Sequence, residues 1–303
     1  IQESKERIRS AIKNSGVQYP QQKKIINLAP ANFRKSGPTL DLPMALGLLA
    51  QSKQITIPAK IMIVGELALD GNVRAVSGAL AIAQVAKKNG FNQIYLPHLN
   101  ANEAAMVDDL EIFGVTTLAQ LVSHFQGNQA LMPFKKKQIQ VLNPIKPEVD
   151  FADIIGQKHA KRALEIAAAG QHNLLMYGPP GVGKTMLAKA LTGILPALTE
   201  TEHTELIQIY SCAGRLQSIH LQERTRPFRE VHHTATKIAL LGGGSNLRPG
   251  EITFAHHGVL FLDEIAEFPH AWFGCNEVSH ANDRSSFRFA GRTDVDPKFL
   301  HLR

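Results

Sequence analysis

The chain has 303 residues, of which 44% are apolar and 19% charged, and a formal net charge of +7. That length accommodates two domains, and the composition is that of a globular protein rather than a fibrous or disordered one. The longest apolar runs fall far short of a membrane span, no signal peptide is visible, and two isolated cysteines, Cys212 and Cys275, form neither a disulfide framework nor a metal motif, which fits a reducing cytoplasm.

The chain opens at Ile1 rather than Met, inside a charged helical pattern running from Glu3 to Asn14 and closed by Gly16. This predicts a natural N-terminus upstream. Lys24 to Leu28 reads as a strand. Leu42 to Ser52 reads as an apolar helix with Asp41 placed to cap it. Ala59 to Leu67 reads as a strand, and Leu69 to Val73 as a hairpin turn. A helix over Gly78 to Asn89 stops at Gly90, and a strand over Gln93 to Leu96 stops at Pro97. Helices are expected over Ala101 to Asp108 and Thr117 to Phe125, with a short strand over Glu111 to Val115. Residues 1–127 thus form one domain. Residues 128–149 read as a linker carrying Lys135-Lys136-Lys137 and the prolines Pro133, Pro144 and Pro147.

The second domain, 150–268, opens at Phe151-Ala152-Asp153-Ile154-Ile155-Gly156-Gln157, and a helix follows from His159 to Ala169. Then comes Gly178-Pro179-Pro180-Gly181-Val182-Gly183-Lys184-Thr185. This fits G-x-x-x-x-G-K-[ST], and it sits between a short apolar strand (173–177) and an Ala- and Leu-rich helix (186–193). Its glycines let backbone N–H groups turn toward an anion at a helix N-terminus. Lys184 would reach the β- and γ-phosphates of ATP, and the Thr185 hydroxyl would hold Mg²⁺. After a long polar insertion, the apolar run Gly258 to Leu262 ends in Asp263 and Glu264. Such a run is a buried strand of a parallel sheet, whose C-terminal edge is where ligands bind. Asp263 is therefore a candidate for the Mg²⁺ shell and Glu264 for polarising the attacking water. The alternation makes the fold class α/β.

These motifs resemble a known family. Asp153 to Gln157, the P-loop and Leu262-Asp263-Glu264 look like an AAA+ ATPase of the magnesium chelatase type. Arg226-Pro227-Phe228-Arg229, His232-His233, Gly242 to Asn246, Arg248-Pro249-Gly250-Glu251 and Ala255-His256 are similar to the bacterial ComM/YifB family. Glu3 to Arg7, Asn27 to Ala31 and Asp41-Leu42-Pro43 resemble that family's Lon-protease-like domain. The resemblance implies an N-terminal Lon/S5-like α+β domain followed by a three-layer α/β/α P-loop domain. It implies a hexameric ring that hydrolyses ATP and drives DNA branch migration during integration of transforming DNA. Branched or single-stranded DNA would be the partner. It places Asp153, Ile155 and Gly156 near the adenine, and hairpins of the 212–257 insertion toward a ring pore. A chelatase-type subunit driving metal insertion, and a nucleotide-binding protein without turnover, stay open as alternatives.

Other groups are weaker. His232-His233 and His256-His257 lack an acid or cysteine at metal spacing, and neighbours on one element point apart, so a loop role is expected. Thr39 stands where a Lon protease has its serine, and Ser77 to Leu80 carries no lysine, so no peptidase chemistry is expected. Arg215, Arg224, Arg226, Arg229 and Arg248 would contact a DNA backbone, or bridge subunits or phosphates. Residues 269–303 carry no helical or strand period. They read as an aberrant tail in place of the family's sensor strand, arginine finger and helical lid, and this predicts ATP binding that outlives turnover.

Overall fold

The computed structural model describes residues 2–21, 24–28, 37–135, 149–216, 224–244 and 247–269, together with the backbone of 289–290 and 300–302. The chain divides into two compact units, Ile1–Ile139 and Gln140–Arg303.

The first unit is built on a three-stranded parallel sheet. Its strands are β1 (Ile61–Ile63), β4 (Gln93–Pro97) and β5 (Glu111–Val115), in the order β1-β4-β5. Side chains alternate between the sheet's faces. Tyr95 and Phe113, directly opposite in register, stack at 4.6 Å on one face. There they meet helices α1 (Gln2–Asn14), α2 (Asp41–Gln51) and α5 (Leu118–Phe125) through Ile8, Ile12, Leu46, Leu49 and Leu121. Ile94, Leu96 and Ile112 point the other way, onto Ala83 and Ala86 of α3 (Ala79–Lys88) and onto Ala101 and Ala104 of α4 (Ala101–Ala104). Strands β2 (Glu66–Leu67) and β3 (Val73–Arg74) form the expected hairpin, its turn closed by Asp70, which accepts from the Asn72 backbone N–H at 2.9 Å.

Several expectations need correction here. Residues 24–28 form no strand, and the 59–67 run breaks at Val64-Gly65 into β1 and β2. Helix α4 ends at Ala104, because Met106 and Val107 close tight turns onto Glu103 and Ala104. Asp41 does not cap α2. It is the first helical residue, fully buried, and its Oδ2 accepts from Arg7 Nε at 2.8 Å. The expected linker begins docked on this unit: Phe134 N–H donates to the Ile112 carbonyl at 2.6 Å and its ring meets His98 edge-on. Residues 136–148 lie outside the described residues.

We expect His124 to make the stability of this unit depend on pH. The Leu131 N–H donates to its Nδ1 at 3.0 Å, and its Nε2 lies 3.0 Å from the Tyr95 hydroxyl. A proton added at Nδ1 would face another donor. Burial accordingly holds the His124 pKa below its ordinary 6.5. Between the folded pKa and 6.5 the unfolded chain binds a proton that the folded one does not, so the contribution is complete above 6.5 and declines as pH falls through that window. We expect the melting temperature to drop between about pH 7.5 and about pH 5.5, and His124→Gln, which can still accept from Leu131, to drop less. Equal slopes in both proteins would remove His124 as the cause.

The second unit carries a five-stranded parallel sheet in the order β12-β6-β11-β10-β7. The strands are β6 (Leu174–Met176), β7 (Phe228–Val231), β10 (Val259–Leu262), β11 (Phe289–Ala290) and β12 (Leu300–Leu302). The tail expected to be without pattern thus supplies two short strands, β11 lying between β6 and β10. Alternation along β10 separates two layers. Val259 and Phe261 pack with α6 (Lys158–Gly170) and α7 (Lys184–Ile194), whereas Leu260 and Leu262 pack with Val231, Leu240 and Phe268. This is a three-layer α/β/α arrangement.

Two elements of the presumed insertion belong to the domain proper. Helix α8 (Glu200–Cys212) starts with a capping box between Thr199 and Glu202. Strand β7 is one edge of the sheet, its charges neutralised by Arg229–Glu251 at 2.5 Å and Lys189–Glu230 at 3.6 Å. The two-residue strands β8 (Gly242–Gly243) and β9 (Arg248–Pro249) form a small antiparallel hairpin between short helices at Lys237–Leu241 and Glu251–Phe254. No helix among the described residues is long and apolar enough to cross a membrane.

Candidate functional site

Strand β6 ends at Met176, and the chain turns through 178–183 into α7. The turn needs glycine at Gly181 and Gly183, whose φ values are +81° and +85°, because a side chain strains the left-handed region. A Cβ at either would meet nothing within 4 Å, so backbone conformation rather than space selects glycine. Gly183 stands at the N-cap of α7 and offers no side-chain acceptor. The first backbone N–H groups of α7 are therefore without a side-chain cap at a positive helix end.

A cavity of about 650 Å³ opens over this turn. It is lined by Gly178, Pro180, Gly181, Gly183, Lys184 and Thr185 from the loop, and by Asp263 and Glu264 beyond the end of β10. The two motifs, far apart in sequence, thus share one cavity because β6 and β10 are parallel and end on the same edge. Pro179 and Val182 belong to the loop but do not line the cavity. Lys184 Nζ donates to the Gly178 and Pro179 carbonyls at 3.0 and 2.9 Å. Both acceptors are neutral, so an anionic oxygen competes favourably for the ammonium.

Asp263 is half-buried; its backbone N–H donates to the Val231 carbonyl at 3.1 Å, and its Oδ1 accepts from the Glu264 N–H at 3.1 Å. Glu264 holds a left-handed φ of 53°. Its Oε2 lies 2.9 Å from His233 Nδ1 and 3.9 Å from His232 Nε2. The close approach of His233 is not aligned as a hydrogen bond. Both histidines follow β7, the strand next to β10. The expectation that no acid joins these pairs is therefore overturned. His232 and His233 lie off regular structure, where neighbouring rings approach to 4.0 Å, and Glu264 completes the group. Treating Phe228 to Val231 as insertion hid this, since a strand there puts both histidines at the same sheet edge as Glu264.

The segment expected near an adenine is only partly drawn to the loop. Ile154 is buried against the α6–α7 core, but Ile155 is 94% exposed. Asp153 is engaged locally, its Oδ2 accepting from the Asp150 N–H at 3.0 Å. Gly156 has a φ of +75°, and the following Gln157 side chain donates to the Val182 carbonyl at 3.5 Å, which is the segment's link to the loop.

The arginines divide. Arg226 is held inside the unit, donating to the Pro196 carbonyl at 2.7 Å, the His257 carbonyl at 2.7 Å and Glu202 at 3.2 Å. Arg215 and Arg229 both pair with Glu251. Arg226 and Arg229 are thus paired within the unit. Arg248 stays exposed on the β8–β9 hairpin beside Leu247, which is 84% exposed.

Comparison with known proteins agrees with these motifs. Residues 150–275 match the family described as magnesium chelatase, subunit ChlI, and residues 1–100 match the family described as subunit ChlI of Mg-chelatase. Competence protein ComM of Haemophilus influenzae is 43% identical over 272 residues, which cover 88% of this chain and 53% of that protein. YifB of Escherichia coli is 43% identical over 270 residues, covering 88% and 52%. The chain thus spans about half the length of the curated relatives it matches. Among solved structures, a complex of the magnesium chelatase subunits BchI and BchD aligns at 18% identity, over 50% of this chain and 60% of that one, with a TM-score of 0.35, too low to add to the family match. On the motifs and these identities together, the chain belongs to the magnesium chelatase-like AAA+ family of ComM and YifB.

Proposed function

We propose that this chain binds ATP with Mg²⁺ through the P-loop cavity and serves as one copy in a ring that remodels DNA. The observation that carries the reading is the meeting of Lys184, Thr185, Asp263 and Glu264 on one cavity above an uncapped helix N-terminus. The loop N–H groups and Lys184 would bind the phosphates. The Thr185 hydroxyl and the Asp263 carboxylate would hold Mg²⁺, which when bound neutralises phosphate charge. Glu264 would orient the attacking water. Among the described residues lining the cavity, Lys184 is the only cation. Phosphoryl transfer gains about 10³–10⁵ in rate from an added arginine, so turnover depends on a further cation, which a neighbouring copy in a ring would supply. The net charge of +7 and the exposed Arg248 favour DNA as the partner.

The test is steady-state phosphate release with and without branched DNA, beside Glu264→Gln. We expect weak release that DNA stimulates and that Glu264→Gln abolishes. Release indifferent to DNA would favour the metal-insertion motor that the family's chelatase description allows. Release unaffected by Glu264→Gln would remove Glu264 from the reaction.

A further inference from the structure

Glu205, His256 and His257 form a second cluster, distinct from the ATP cavity. Their ligating atoms all lie within 4.8 Å of one another. The cluster lies at the opposite end of β10 from Asp263, where α8 meets the turn that precedes Val259. His257 is buried, with Nε2 at 2.7 Å from Glu205 Oε2. His256 Nε2 is 3.4 Å from the same oxygen. As with His232 and His233, the pair sits in a turn rather than on a helix or strand, and its rings approach to 3.9 Å. Glu205 was not visible as a partner in the sequence, being 51 residues from His256.

We propose that Glu205, His256 and His257 bind a divalent transition-metal ion of the zinc class. Two imidazoles and a carboxylate are the donor set such ions take, with a fourth position left to water. Both histidines present Nε2 to the shared oxygen. Donors about 2.0–2.1 Å from a tetrahedral ion lie about 3.3–3.4 Å apart. The His256–Glu205 separation already matches this, and the His257–Glu205 separation needs to open by about 0.6 Å, within the swing of a half-exposed glutamate. The outer shell is also present. Glu202 Oε1 lies 3.6 Å from His257 Nδ1, on the ring's other side, just beyond a hydrogen bond and placed to close onto that nitrogen when Nε2 ligates. Arg226 grips Glu202 and the His257 carbonyl, so that carboxylate and ring are held together. The other cluster, His232, His233 and Glu264, contains an acid of the ATP cavity and is not independent of it.

The ion would pin α8 to the entry of β10. The probe is Co²⁺ or Zn²⁺ added to chelator-stripped full chain without nucleotide. We expect one Co²⁺ per chain with visible ligand-field absorption, displacement by Zn²⁺, and a melting temperature that rises with Zn²⁺. Glu205→Gln keeps an acceptor for His257 and so tests the site without unfolding it. It should weaken uptake at least about tenfold, whereas His233→Gln should leave uptake unchanged. Circular dichroism of each variant shows that it is folded. No uptake by the parent, uptake unchanged in Glu205→Gln, or uptake lost in His233→Gln would each overturn the proposal.

Discussion

Lys184→Ala is expected to lower affinity for ATP with Mg²⁺ by about ten- to hundredfold. The side chain is half-buried at the first turn of α7, and its ammonium rests on the Gly178 and Pro179 carbonyls at the rim of the cavity. A phosphate oxygen is a stronger partner than either carbonyl, because a hydrogen bond to a charged group contributes about 1.5–3 kcal/mol. Alanine removes that contribution and the only cation among the described residues lining the cavity. It leaves the loop glycines and the helix N-terminus in place, so residual binding should persist. Titration of a fluorescent ATP analogue measures the change. A variant that binds as tightly as the parent would show that nucleotide is held elsewhere.

The largest stability effect is expected in the first unit, at Arg7. Asp41 is fully buried, its Oδ1 has no hydrogen-bond partner among the described residues, and its Oδ2 depends on Arg7 Nε. Pairing in turn raises the Arg7 pKa, chiefly through that hydrogen bond. Arg7→Met would keep the apolar stem on α1 and strand a carboxylate in the core. Removing one partner of a buried pair costs about 3–5 kcal/mol, while replacing both with apolar groups of similar volume is often neutral. We therefore expect Arg7→Met to lower the urea midpoint sharply and Arg7→Met with Asp41→Leu to recover most of it. A double variant as weak as the single one would mean that packing, rather than charge, is what Arg7 contributes.

The sequence was most legible where period and motif agree. The 178–185 loop and the apolar run before Asp263 are both local signals, and the structure joins them at one sheet edge. Helix α8 was missed although Thr199-Glu200-Thr201-Glu202 is a capping-box pattern, because its charged face masked the period. Strand β7 was missed because Arg229 and Glu230 look like loop residues until Glu251 and Lys189 neutralise them from elsewhere in the fold. Asp41 read as a cap for the same reason: its true partner is Arg7, on another helix. Pairings across the chain leave no local trace, and the acid partners of both histidine pairs, Glu264 and Glu205, are of that kind.

Glu264 shows what selection weighed at the cavity. A side chain in the left-handed region costs about 1–2 kcal/mol, and Glu264 sits there at φ 53°. Glycine would relieve that cost, and asparagine much of it. A library of variants sorted for heat resistance alone would therefore drift away from glutamate at 264 and lose the acid with it. Breeding this chain for robustness and breeding it for chemistry pull position 264 in opposite directions.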